Sequence, residues 1–116
     1  MDITQLKKKS LEYRKTLIEI IYNSNAGHTA GSLSCIDIIN VLYNDVLDIT
    51  PDNFNSYDRN RYIQSKGHSV EALYTVLCDK GFFKKKDLDT LNNFDSHFIG
   101  HPTRKVNGIE HNSGAL

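Results

Sequence analysis

Apolar side chains recur near helical spacing over residues 4–24, at Leu6, Leu11, Leu17, Ile18, Ile21 and Tyr22, and predict a long amphipathic helix. The turn formers Asn23-Ser24-Asn25-Ala26-Gly27 end it. A second run carries Ile36, Ile38, Ile39, Val41, Leu42 and Val46. Ser34 is placed to cap that helix, with Asp37 three residues later in a capping-box position. Apolar on most sides, it should be largely buried. Residues 50–60 read as a polar loop, and Arg61-Tyr62-Ile63-Gln64-Ser65 as a short strand. Ser65-Lys66-Gly67-His68 then turns into a third helix over 69–80, with Val70, Leu73, Val76 and Leu77 facing the core and Gly81 as its stop. A short helix is expected over 87–93. Residues 94–116 show no period and are rich in Gly, His and Asn, the pattern of a functional loop packed on a scaffold.

The inventory is mainly helical, with one confident strand. One strand cannot make a sheet. A strand, a glycine turn and a helix in succession normally belong to a larger parallel sheet, so the expected class is α/β and the chain reads as incomplete as an independent fold. The abrupt stop at Gly114-Ala115-Leu116 supports the same expectation.

Composition narrows the function classes. The 116 residues form one domain or part of one, and 14 basic and 14 acidic side chains cancel. A nucleic-acid binder needs surplus Lys and Arg to neutralise phosphates, so neutrality argues against one. The densest basic run, Lys84-Lys85-Lys86, is followed by Asp87 and Asp89 and reads as a solvated helix start. No apolar run approaches the roughly 18 residues that span a bilayer, and Lys7-Lys8-Lys9 occupies the place of a signal core. Cys35 and Cys78 lie in apolar helical patterns and read as buried free thiols of a reducing compartment, the cytoplasm.

The candidate chemistry lies in histidines that follow glycines. Three of the five histidines do so: Gly27-His28, Gly67-His68 and Gly100-His101. Chance would place roughly 0.3 there. Glycine allows close backbone approach, and imidazole suits proton and hydrogen-bond chemistry near neutral pH. His28 lies in Ala26-Gly27-His28-Thr29-Ala30-Gly31-Ser32, either a tight substrate loop or a plain helix connection with an exposed His. His68 stands at a strand-to-helix turn, where open α/β sheets bind ligands and helix N-termini attract phosphate; the plainer reading is a helix entry capped by Ser69. Pro102 biases His101 to an extended backbone, in a binding or a surface loop. His97 and His111 read as structural or surface residues. Asp58-Arg59 reads as a functional pair or, more simply, as a loop salt bridge or strand cap. A histidine metal site has little support, because Gly100 and Pro102 oppose the helix that would align His97 with His101.

Taken together, these segments resemble the N-terminal part of transketolase, a thiamine-diphosphate enzyme. The matching stretches are Gly-His-Thr-Ala-Gly-Ser (27–32), Asp-Arg-Asn-Arg-Tyr-Ile-Gln-Ser-Lys-Gly-His (58–68), Glu-Ala-Leu-Tyr (71–74), Lys-Gly-Phe-Phe (80–83), Ile-Gly-His-Pro (99–102) and Gly-Ile-Glu-His-Asn-Ser-Gly-Ala-Leu (108–116). The likeness extends to the N-terminal subunit of split transketolases. It implies that residues 1–116 are the N-terminal portion of a thiamine-diphosphate-binding, parallel-sheet domain. The implied reaction transfers a two-carbon ketol unit from a ketose phosphate to an aldose phosphate, as in the pentose phosphate pathway. By the same resemblance, His28 and His101 are catalytic and touch the sugar. His68 contacts both the cofactor's diphosphate and the substrate. Gly114, Ala115 and Leu116 begin the loop on the cofactor's aminopyrimidine side.

The departures bear on activity. The family holds the diphosphate and Mg²⁺ with a Gly-Asp-Gly motif followed by Asn, and no Gly-Asp-Gly occurs in residues 1–116. No metal ligand is therefore assigned here, and the Mg²⁺ ligands are expected beyond residue 116. The activating glutamate belongs to another domain, so the resemblance implies a C-terminal subunit or a remainder of the chain, a homo- or hetero-oligomer, and inactivity alone. Ala30 stands where glycine is common, and His111 where methionine is common. Ala30 should matter little if its φ is negative, and His111 should need a hydrogen-bond partner of its own. Alternatives are a related enzyme such as deoxyxylulose-phosphate synthase, a non-catalytic assembly partner that keeps the scaffold, and a gene fragment.

Overall fold

The computed structural model describes residues 1–114. Helix α1 spans Ile3–Ser24 and α2 spans Thr29–Val41, continuing into a π-helical turn, Leu42–Val46. A 3-10 turn, Gly67–Ser69, leads into α3, Val70–Asp79, and α4 covers Lys85–Leu88. The three longer helices, α1, α2 and α3, pack pairwise against one another, and the irregular segments wrap them. Among the described residues no helix is long and apolar enough to cross a membrane.

Helix α1 starts at a reciprocal cap. Asp2 Oδ1 accepts from Gln5 N–H at 2.8 Å, and Gln5 Oε1 accepts from Asp2 N–H at 3.0 Å. It ends at Asn25, left-handed with φ 55°. Its buried stripe is Tyr13, Leu17 and Ile20, whereas Leu11, Ile18 and Tyr22 are exposed. Of the expected face, Leu17 is buried, Ile21 packs against the core and Leu6 is half-buried, while Leu11, Ile18 and Tyr22 face solvent because apolar residues lie all round this helix. Helix α2 begins five residues before Ser34, with His28 as its N-terminal flank. Ser34 lies inside it and donates to Gly31 O at 2.8 Å, while Asp37 pairs with Arg14 at 2.6 Å. Ile36 and Ile39 are buried, but Ile38, Val41 and Val46 are exposed, so α2 is half-covered rather than enclosed.

Helix α3 is the centre of the core. Every residue from 70 to 77 is buried, and Gly81, with φ 93°, turns the chain just beyond it. Tyr74 and Phe98 meet edge-to-face at 5.3 Å, as do Phe83 and Phe98 at 4.9 Å, which seats Phe98 on α3. The short helix expected at 87–93 forms earlier, at Lys85–Leu88, where the Asp87 carboxylate accepts from Lys84 N–H at 3.1 Å. Cys35 and Cys78 are unpaired and only half-buried. Burial pushes both thiols up.

The strand expected at 61–65 does not form among the described residues, which contain no strand. A strand exists only with a ladder partner, and here no neighbouring segment pairs with it. Gln64 O accepts instead from the Ser113 hydroxyl at 2.7 Å. The parallel sheet that the α/β class requires is thus not displayed by these residues.

Asp79 joins α3 to α1. It accepts from Lys9 Nζ at 2.8 Å and from the Tyr13 hydroxyl at 2.6 Å. Burial alone would raise its carboxyl pKa, but the Lys9 and Tyr13 bonds bring it below the ordinary value. Asp37 is lowered too, mainly by Arg14. Carboxyls with folded pKa values below their unfolded ones add stability above the unfolded pKa and lose it as pH falls through the folded one. The urea midpoint is therefore expected to drop as pH falls below about 4, and the drop to shrink in Asp79→Asn. Equal slopes in both proteins would count against this.

Candidate functional site

Three separate segments bring three imidazoles into contact. His28 flanks the start of α2, His68 sits in the 3-10 turn before α3, and His101 follows the segment held by α3. The His28 and His68 ring centroids are 4.9 Å apart, and those of His68 and His101 are 4.4 Å apart, both edge-to-face. His28 and His68 are exposed and His101 is half-buried, so the row faces solvent.

Local structure explains each placement. Gly27 has φ 136°, a conformation that other residues rarely adopt, and this turn delivers His28 directly from the end of α1. The first turn of α2 lies close to that of α3: a Cβ on Gly31 would come within 2.8 Å of Ser69 Oγ. Lys66 Nζ ties the two by donating to Gly31 O at 3.0 Å and to Ser34 Oγ at 2.6 Å. On the other side the buried Tyr74 hydroxyl donates to Ile99 O at 2.6 Å and fixes the backbone two residues before His101. A cleft of about 260 Å³ lies beside His101, lined by Pro102, Thr103, Asn112 and Ser113.

Gly114 packs against the His68 turn. Its φ is 77°, and a Cβ on Gly67 would lie 2.6 Å from Gly114 Cα. Ala115 and Leu116, assigned with Gly114 to the cofactor loop, lie outside the described residues. His97 and His111 are exposed and make no ring contact with the row. His111 Nδ1 does find its own partner, Asn112 O, at 2.7 Å. Ala30 is helical in α2 and is not among the positive-φ residues, so it carries no backbone strain.

A match to the family described as "Transketolase, thiamine diphosphate binding domain" covers residues 7–116. The chain belongs to the transketolase family. It is 46% identical over 116 residues to an apulose-4-phosphate transketolase subunit of Phocaeicola vulgatus, covering all of this chain and 41% of that relative. The Actinobacillus succinogenes protein of the same name is 38% identical over 114 residues, with 97% of this chain and 41% of the relative covered. The 6-deoxy-6-sulfo-D-fructose transketolase subunit SqwG of a Clostridium species is 38% identical over 104 residues, 89% of this chain and 38% of that protein. The chain thus spans about two-fifths of the length of these transketolase subunits. In structure it is similar to transketolase from Leishmania mexicana, with a TM-score of 0.85 over 96% of this chain and 17% of that one. At 24% identity that likeness shows a shared fold.

The site's chemistry fits a diphosphate. The imidazole N–H groups, exposed at His28 and His68, can donate to phosphate oxygens. Glycine at both 67 and 114 lets two backbones meet with no side chain between them. Among the described residues no group of three or more His, Cys, Asp or Glu is arranged to hold a metal ion.

Two contacts between distant segments add to this picture. Arg59 does not pair with Asp58, which is exposed, but forms a two-point ion pair with Glu110. Glu71, noted only as part of a matching stretch, is buried under the Gly27 turn. An acid three residues after His68, inside an otherwise apolar helical run, was the signal available for it.

Proposed function

We propose that this chain supplies the diphosphate-side portion of a thiamine-diphosphate-dependent transketolase that moves a two-carbon ketol unit between sugar phosphates. The observation that carries this reading is the row formed by His28, His68 and His101. In it His68 donates to the cofactor's diphosphate and also faces the substrate. His28 and His101 donate to sugar hydroxyls, and as neutral or protonated imidazoles they take or give a proton at a substrate oxygen. Gly114, Ala115 and Leu116 begin the loop on the cofactor's aminopyrimidine side. The bound cofactor supplies the carbon-carbon chemistry that no side chain here offers. Its Mg²⁺ ligands lie beyond residue 116.

The relatives named as transketolase subunits support a partner chain, and their names support a sugar or sugar phosphate as substrate. Turnover then needs that partner or the rest of the chain. The two unpaired thiols fit work in the cytoplasm. The test is reconstitution of the full protein with its partner, followed by titration with thiamine diphosphate and assay with ketose phosphate donors. His68→Ala is expected to keep the fold, since His68 is exposed, and to weaken cofactor binding about tenfold or more. Cofactor binding unchanged in His68→Ala, or absent from the wild-type assembly, would sink the reading.

A further inference from the structure

Glu71 belongs to α3, and its head lies where α1 turns into α2. It is 1% exposed, and no other Asp, Glu, Lys or Arg falls in the buried set among the described residues. One carboxyl oxygen, Oε2, accepts from Ser32 Oγ in the first turns of α2 at 3.4 Å. The other, Oε1, has no hydrogen-bond partner. A Cβ on Gly27 would come within 2.7 Å of that oxygen and 3.2 Å of Ile21 Cγ1, so the carboxyl is pressed against the backbone of the residue that precedes His28. It also stands three residues beyond His68 on the helix that His68 introduces.

Packing alone does not account for a carboxyl here. A buried acceptor without a donor costs stability, and an apolar side chain of similar volume would fill the corner without that cost. Glycine at 27 also leaves no side chain to separate the carboxyl from the turn. We propose that Glu71 is a positioning residue, holding the Gly27–Ser32 segment from beneath so that the His28 ring meets His68. Through one side chain the seat of His28 is joined to the helix that follows His68. The role rests on the transketolase reading only for its effect on turnover. The placement of His28 stands apart from it.

The experiment compares Glu71→Gln and Glu71→Met in the full protein with its partner. Histidine is isotopically labelled, and the His28 imidazole signal is assigned with His28→Asn. In the unliganded state both Glu71 variants are expected to move the His28 signal and to leave that of the remote, exposed His97 in place. Stability should be unchanged or higher, whereas kcat/KM should fall about tenfold or more, with KM for the sugar rising. An unmoved His28 signal in folded Glu71→Gln overturns the proposal, whether or not turnover falls. A moved signal with full turnover upholds Glu71 as the positioning residue and overturns the substrate role assigned to His28. If Glu71→Met does not fold, the isosteric Glu71→Gln decides alone.

Discussion

Glu110→Ala is expected to destabilise the folded chain by about 3–5 kcal/mol, the largest loss from any single side-chain truncation considered. The Arg59 and Glu110 side chains are only 8% and 12% exposed. Two parallel bonds join them, one of them Nη2 to Oε1 at 2.8 Å. The guanidinium also lies over the Phe54 ring, 4.4 Å from its centroid. Glu110 holds the Arg59 pKa above its ordinary value, and Arg59 Nε already lacks an acceptor. Removing the carboxylate would strand a largely covered cation with one more unmet group. Replacing both partners by apolar residues, Arg59→Met with Glu110→Leu, should recover most of the loss. Urea denaturation of the wild type, the single and the double variant measures this. A single-variant loss below about 1 kcal/mol would mean that the pair behaves like a solvated surface bridge.

Gly67→Ala is expected to act on binding more than on global stability. Its new Cβ would fall 2.6 Å from Gly114 Cα and 2.9 Å from Gly114 C and O. These are main-chain atoms and cannot swing aside as a side-chain tip does. Residues 113 and 114 must move, and the 2.7 Å bond from Ser113 to Gln64 O must stretch or break. The global cost should be about 1–3 kcal/mol, the usual range for overpacking. The displacement falls between His68 and the segment assigned to the cofactor loop. Thiamine diphosphate affinity in the reconstituted protein should therefore drop about a hundredfold. Titration calorimetry reads it directly. Affinity within about threefold of the wild type would show that Gly114 is not part of the cofactor's seat.

Local signals in the sequence were reliable where a single cause acts. Gly81 stops α3 because its positive φ suits only glycine, and Asn23 to Gly27 end α1 for the same class of reason. The three Gly-His pairs marked side chains that do come together. Local signals mislead where two causes compete. In α1, Ile18 and Tyr22 offered an apolar face as good as Tyr13 and Ile20, and only the positions of α2 and α3 decide between them. Ser34 had the composition of a cap, but the helix begins earlier, and the hydroxyl bonds back to Gly31 O instead. Residues 61–65 have strand-forming side chains, but strand formation is a property of a pair, and a single segment carries half of it. Glu71 and the Arg59–Glu110 pair depend on contacts between distant segments, which no local window reveals.

The contacts among His28, His68 and His101 draw on segments from the beginning, middle and end of the described chain. None of these segments can build the row alone, so the row and the folded state appear and vanish together. A small molecule that touches all three rings has no target on the unfolded chain. By mass action it must stabilise the fold, by about 2.7 kcal/mol at a hundredfold excess over its Kd, and so raise the melting temperature. Melting curves collected across a panel of sugar phosphates can therefore rank candidate substrates before any turnover assay exists.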